Sequence, residues 1–335
     1  MSTEDIEKIQ QLKQTRHLNN DAAWVMCDYL DKLPRAITPE LMQSVLSEGD
    51  FSKEMIYYLL MGEFCSLDPE NNVRDRLISQ RYLRCSVKFL SIYEYNSNPY
   101  YKNIKITPQS IGQWSFAYQS YAPYEAFLYK DIVLGEALQE VPQIGFFDSE
   151  FSFPVVLENE HEWMAIKPNE INTMQGHIAL VYGNVITFGL GMGYFAYMVQ
   201  RKTEVCLITI VEKDPNVIEL FTKYILPQFE NPDKVNIIQE DAFEYIEQKM
   251  PHKQYNWAFV DLWHDTSDGL PSYLKIRKLE ALSPKTRFLY WIEDSIISAL
   301  RWREFNSIID SADSYSDVLK QLSFDSLRLL ATQID

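Results

Sequence analysis

From about residue 182 onward, short runs of four to seven apolar, largely β-branched residues alternate with segments whose apolar side chains recur every three or four positions. Asn184 to Phe188 (NVITF), Leu207 to Val211 (LITIV), Val235 to Gln239, Trp257 to Val260 and Thr286 to Ile292 read as strands. Between them, YFAYMVQ after Gly193, the face Val217, Phe221, Tyr224, Ile225 and the face Phe243, Ile246, Met250 read as helices. Strand and helix in strict alternation predict an α/β fold with a doubly wound, mostly parallel, Rossmann-like sheet, because parallel neighbours need a crossover between them. The last residues, IISALRWREFNSII and VLKQLSFDSLRLL, read as helices.

The earlier half has a different rhythm. Residues 1–145 carry the helical period, as in Ile56, Leu59, Leu60 and Phe64, and are punctuated by prolines, so an α-helical N-terminal domain is expected. In residues 146–168, FPVVL and WMAI flank the polar ENEHE and predict a β-hairpin connector. Lys167-Pro168 ends that extended segment, with Asn169 as the expected N-cap of a helix running to Val181. Residues 169–335 then form the Rossmann-like domain with a helical C-terminus.

Composition narrows the function. The 335 residues are 46% apolar and carry a formal charge of −16, which excludes a disordered or fibrous chain. Up to residue 145 there are 14 Lys and Arg against 19 Asp and Glu, leaving −11 of the charge on the second half. Such a surface repels phosphate backbones, so no nucleic-acid partner is expected. Arg74, Arg76, Arg81, Arg84 and Lys88 read as a solvated face. Four dispersed cysteines and a start without an apolar leader fit a cytoplasmic protein with reduced thiols. Ile178 to Val199 is 22 residues without a charge, but Asn184 and four glycines interrupt it, so no membrane span is expected.

The candidate chemistry lies at the strand ends. Gly189, Gly191 and Gly193 occupy alternate positions directly after the first strand, where a backbone bends sharply and offers N–H groups to a ligand. Glu212 ends the second strand 21 residues after Gly191, the place from which a carboxylate accepts hydrogen bonds from two ribose hydroxyls. After the third strand, Asp241 and Ala242 suit the edge of an adenine, and Asp241 also reads as a helix cap. Asp261 ends the fourth. With His264 and Asp265 it makes a compact titratable cluster, the candidates for catalytic base and substrate orientation. No GxxxxGK[ST], GxSxG or HExxH occurs, the five histidines are scattered, and no metal is expected. A nicotinamide-binding domain would want glycine at position 194, which is Tyr194.

Taken in order, ITFGLGMGYF, ITIVEKDPNVIELF, NIIQEDAFEYI and YNWAFVDLWHD resemble the four successive cofactor motifs of class I S-adenosylmethionine-dependent methyltransferases, over roughly residues 165–295. The resemblance implies S-adenosylmethionine as cofactor, held by Gly189, Gly191, Gly193, Glu212, Asp241, Ala242 and Asp261, and methyl transfer to a small-molecule acceptor. VEKDPNVIEL and the hairpin before the core are also similar to the spermidine synthase branch, whose GGGDGG aligns with Gly189 to Tyr194 and places Met192 at its Asp. Thr187 stands where methyltransferases commonly carry an acidic residue. Three readings stay open: methyl transfer, aminopropyl transfer from decarboxylated S-adenosylmethionine with Asp261 deprotonating an amine, and a non-catalytic nucleoside-binding protein. A cationic acceptor and a homodimer are likewise open. Only 42 residues follow Glu293, so the closing antiparallel strands of that fold are expected to be reduced or missing.

Overall fold

The computed structural model describes residues 1–334. The strands, in chain order, are β1 Lys88–Phe89, β2 Ser110–Ile111, β3 Trp114–Tyr121, β4 Phe127–Leu134, β5 Glu140–Phe146 and β6 Phe151–Glu158. They continue with β7 His161–Ala165, β8 Gly183–Phe188, β9 Val205–Glu212, β10 Val235–Gln239, β11 Trp257–Val260 and β12 Arg287–Tyr290. Two compact units divide the chain discontinuously. One comprises Met1–Tyr93, Ser120–Ser152 and Trp302–Ser323; the other comprises Glu94–Gln119, Phe153–Arg301 and the segment from Phe324.

The first unit is mainly helical. Its long helix Thr3–Lys32 begins in a capping box, in which Ser2 and Asp5 satisfy each other's free backbone N–H groups. Met26, Tyr57, Met61, Ile78 and Leu83 pack with Phe146 in its core, and Tyr57 stacks on Phe146 at 4.0 Å. The helical pattern expected for residues 1–145 holds as far as Asn103, apart from β1. Beyond it the chain is largely extended, and β5 lies between β1 and β4 in a three-stranded sheet. The strands there are hidden in the sequence by its aromatic density. In β3, whose residues up to Gln119 belong to the second unit, Trp114 and Phe116 are buried while Ser115 and Ala117 are less so, a period of two.

The second unit is built on a five-stranded sheet in the order β10-β9-β8-β11-β12, and every pair in it is parallel. Ile186, Phe188, Ile208, Ile210 and Val260 are completely buried, which is why these strands read as continuous apolar runs rather than alternating ones. The order and the crossover helices make this the Rossmann-like fold expected from the sequence. No closing antiparallel pair is attached to the sheet among the described residues. A second sheet, β2-β3-β6-β7, contains the expected hairpin of β6 and β7.

Register sets where the site lies. Phe188 pairs with Val211 and Val260, Gln239 with Glu212, and Val260 with Tyr290. The strands therefore end flush, and the next residues, Gly189, Glu240, Asp261 and Trp291, each continue the ladder by one bond of 3.0 Å. The helix between the hairpin and β8 runs Pro168–Leu180, with Lys167 and not Asn169 at its N-cap. Proline is well suited to the first helical position, where no N–H partner is needed, so the start falls two residues earlier than expected. The uncharged stretch 178–199 is divided among a helix end, β8, the glycine loop and a short helix, and no described helix is long and apolar enough to cross a membrane.

Candidate functional site

At the carboxyl edge of the parallel sheet lies a cavity of about 610 Å³. Its floor is the glycine loop. Gly189, Gly191 and Gly193 all have positive φ, at 94°, 50° and 68°, a region that L residues with a Cβ avoid. Space is equally restrictive. A Cβ on Gly189 would lie 2.1 Å from the Asp261 carbonyl oxygen, and one on Gly191 would lie 2.0 Å from Met164 Sδ. At Gly193 it would meet the Phe221 ring at 2.3 Å. The glycines thus serve close approach by other segments of the protein itself as much as by any ligand. Gly189, Leu190 and Gly191 line the cavity, whereas Gly193 caps the helix Tyr194–Gln200 outside that lining.

Glu212 closes β9 and faces the same space. Its Oε1 accepts from the Asp214 backbone N–H at 2.9 Å and its Oε2 from the Leu190 N–H at 3.2 Å. Burial pushes its carboxyl above the usual range, and these N–H donors partly offset that. Asp214 caps the helix Pro215–Leu220 and also accepts from Trp114 Nε1 at 2.9 Å. Asp241 accepts from the Phe243 and Glu244 N–H groups as a cap, and both Asp241 and Ala242 line the cavity.

The cluster at the end of β11 is split by the structure. Asp261 lines the cavity, and burial pushes its carboxyl up to about 7. His264 stands on the rim, half-exposed, with Nδ1 3.2 Å from Asp268 and its ring edge-on to Trp163 at 4.3 Å. Asp265 turns away. Its carboxylate accepts from the Ser267 N–H at 2.6 Å and forms a reciprocal capping box with Asp268 at the start of the helix Thr266–Leu279. It is outside the cavity lining, and these donors hold its carboxyl below the usual range.

Three groups escaped sequence reasoning. Glu170, in the first turn of Pro168–Leu180, reaches the cavity although it is only 7% exposed. Trp163 from the hairpin strand β7 stands edge-on to Trp114 at 5.4 Å, and both border the space. Trp291, just beyond β12, lines it too and donates from Nε1 to Thr173 Oγ1 at 2.9 Å. The apolar run WMAI beside a polar loop marks β7 as a strand, but nothing local says that it covers a glycine loop. In all, the lining holds eight carboxylates against two lysines, so it favours ligands with positive charge.

The chain matches no family model and no curated protein. Among solved structures it is similar in part to a spermidine synthase from Thermotoga maritima, at 16% identity and a TM-score of 0.29, over 38% of this chain and 48% of that one. It is also similar to a spermidine synthase in complex with the transition state analogue AdoDATO, at 17% identity and a TM-score of 0.28, over 34% and 43% of the two chains. The chain therefore covers less than half the length of either protein. Its fold class rests on the strand order and parallel register of its own sheet.

Proposed function

We propose that this cavity binds an S-adenosyl compound and that the chain is an S-adenosylmethionine-dependent methyltransferase acting on a small, amine-bearing acceptor. The observation that carries this reading is the Glu212 carboxylate, oriented by two backbone N–H groups while it faces a cavity that the glycine loop also lines. Each of its oxygens retains a lone pair for a hydroxyl donor. Asp241 and Ala242 border the same space, and a volume of about 610 Å³ lies within the range of pockets that enclose small molecules.

Glu212 would hold the ribose, Asp241 and Ala242 the base, and Gly189 to Gly191 would run along the sulfonium end. When bound, the sulfonium compound supplies an activated methyl group with a good leaving group. What remains for the protein is alignment and the removal of a proton. Asp261, whose carboxyl titrates near neutrality, is the group to accept a proton from an ammonium acceptor. The indoles of Trp163, Trp263 and Trp291 border the cavity and are the side chains that would meet an organic cation.

The acidic lining favours a second reading, aminopropyl transfer from decarboxylated S-adenosylmethionine. Lys167, one of the two cations in the lining, is the group that a donor's carboxylate would meet. Thermal shift with S-adenosylmethionine, S-adenosylhomocysteine, decarboxylated S-adenosylmethionine, methylthioadenosine and NAD, each tested separately, decides between them. A ligand at about 100 times its Kd adds roughly 2.7 kcal/mol of stability. Stabilisation by the carboxylated pair supports methyl transfer, and preference for the decarboxylated donor supports aminopropyl transfer. Indifference to all the adenosyl compounds, or stabilisation by NAD alone, overturns the reading.

A further inference from the structure

Two carboxylates in the cavity lack a donor. The side chain of Glu170 has no hydrogen-bond partner among the described residues, and only its backbone carbonyl is engaged, by the Thr173 hydroxyl. Asp261 is alike: its N–H donates to Phe188 O, while its carboxylate has no partner among the described residues. Buried carboxylates are stable only when paired or protonated. The charged groups facing Glu170 are Asp261 from the end of β11, Glu162 from β7 and Lys167 at the start of its own helix. Lys167 is already bound to Glu162 at 2.7 Å. His264 turns its Nδ1 to Asp268. The space between helix and sheet is thus short of positive charge.

What fits is a group that brings several N–H donors and one positive charge. A primary ammonium has three donors and no acceptor, and the indoles bordering the cavity suit an organic cation. A protein-held transition metal would draw on three or four ligating side chains, more than this pair supplies. We propose that Glu170 and Asp261 together form a subsite for one primary ammonium group, with Glu170 supplying the carboxylate that completes it. In the transferase reading, on which only the source of the ammonium rests, the group is either the amino-acid end of the donor or the amine of the acceptor. Burial raises both carboxyls, and the charge of Asp261 raises that of Glu170 further, so binding an ammonium ion releases a proton from the pair.

Titration calorimetry of wild type, Glu170→Gln and Asp261→Asn with three probes tests this. S-Adenosylhomocysteine carries the α-ammonium, methylthioadenosine lacks it, and 1,3-diaminopropane represents an acceptor. If the donor's ammonium occupies the subsite, Glu170→Gln weakens S-adenosylhomocysteine on the order of tenfold to a hundredfold and leaves methylthioadenosine unchanged. If the acceptor's does, only the diamine weakens. In either case the wild-type binding enthalpy depends on the ionisation heat of the buffer, and this dependence is smaller in Glu170→Gln and in Asp261→Asn, each of which removes one of the two titrating carboxyls. Both variants folded and binding all three probes like wild type, or all three weakened alike, overturns the subsite. Wild type binding neither nucleoside overturns the transferase reading instead. The diamine then decides the subsite alone, and its failure to bind removes that too.

Discussion

Oε2 of Glu212 accepts a hydrogen bond from the backbone N–H of Leu190 at 3.2 Å, so the end of β9 holds the glycine loop that follows β8. With Oε1 on the Asp214 N–H, the carboxylate is fixed in one orientation. Such support from neighbouring backbone keeps a binding group in place before a ligand arrives.

Glu212→Ala should therefore weaken S-adenosylhomocysteine by about 1–3 kcal/mol, the scale for losing hydrogen bonds to a charged group. Calorimetry on the folded variant measures it. Unchanged affinity takes Glu212 out of the site.

The pH dependence of stability reports the carboxylate pair. Glu170 and Asp261 have raised carboxyls in the folded protein, above 4.5 and 3.8. Their contribution is complete at low pH and is lost as pH rises through the folded values. Glu170→Gln should match wild type near pH 4–5 and gain on it toward pH 8, by up to about 1.4 kcal/mol per pH unit for each proton. Urea unfolding at stepped pH measures the difference, and a gap that stays constant with pH contradicts it.

Glycine replacements should separate two kinds of crowding. In Gly189→Ala the new methyl meets backbone, the Asp261 carbonyl, and the loss should be about 2–4 kcal/mol. In Gly191→Ala it meets the flexible end of Met164. Adding Met164→Ala should recover the part due to that clash, leaving about 1–2 kcal/mol of left-handed backbone strain. Chemical denaturation of the single and double variants gives both values. A double variant no more stable than Gly191→Ala would show that Met164 is not the obstacle.

Asp265→Ala should cost about 1 kcal/mol through the lost cap of Thr266–Leu279 and leave adenosyl binding unchanged. Melting temperature and ligand affinity, read on the same variant, separate a cap from a ligand contact. A large loss of affinity at unchanged stability would return Asp265 to the site.

What the chain determines by itself is local and periodic. NVITF, LITIV and WAFV could be read as strands because the centre of the sheet is covered on both faces and its positions are almost all apolar, while the edge strand VNIIQ was legible from its Val and Ile residues. The glycine loop, Glu212 and Asp241 could be read because each sits at a fixed offset from a strand end, and flush register turns those offsets into one edge. Sequence also marked Asp261, His264 and Asp265 as one cluster, yet only the first two border the cavity. A side chain immediately before a helix start, as Asp265 is before Thr266, is claimed by the backbone N–H groups there. Glu170 was invisible for the opposite reason. A lone acid in the first turn of a helix reads as a solvated residue, and nothing within several positions shows that it is buried opposite Asp261. Burial, and with it the shift of a carboxyl toward neutrality, comes from segments far apart in sequence packing together, so it was decided only by the tertiary structure.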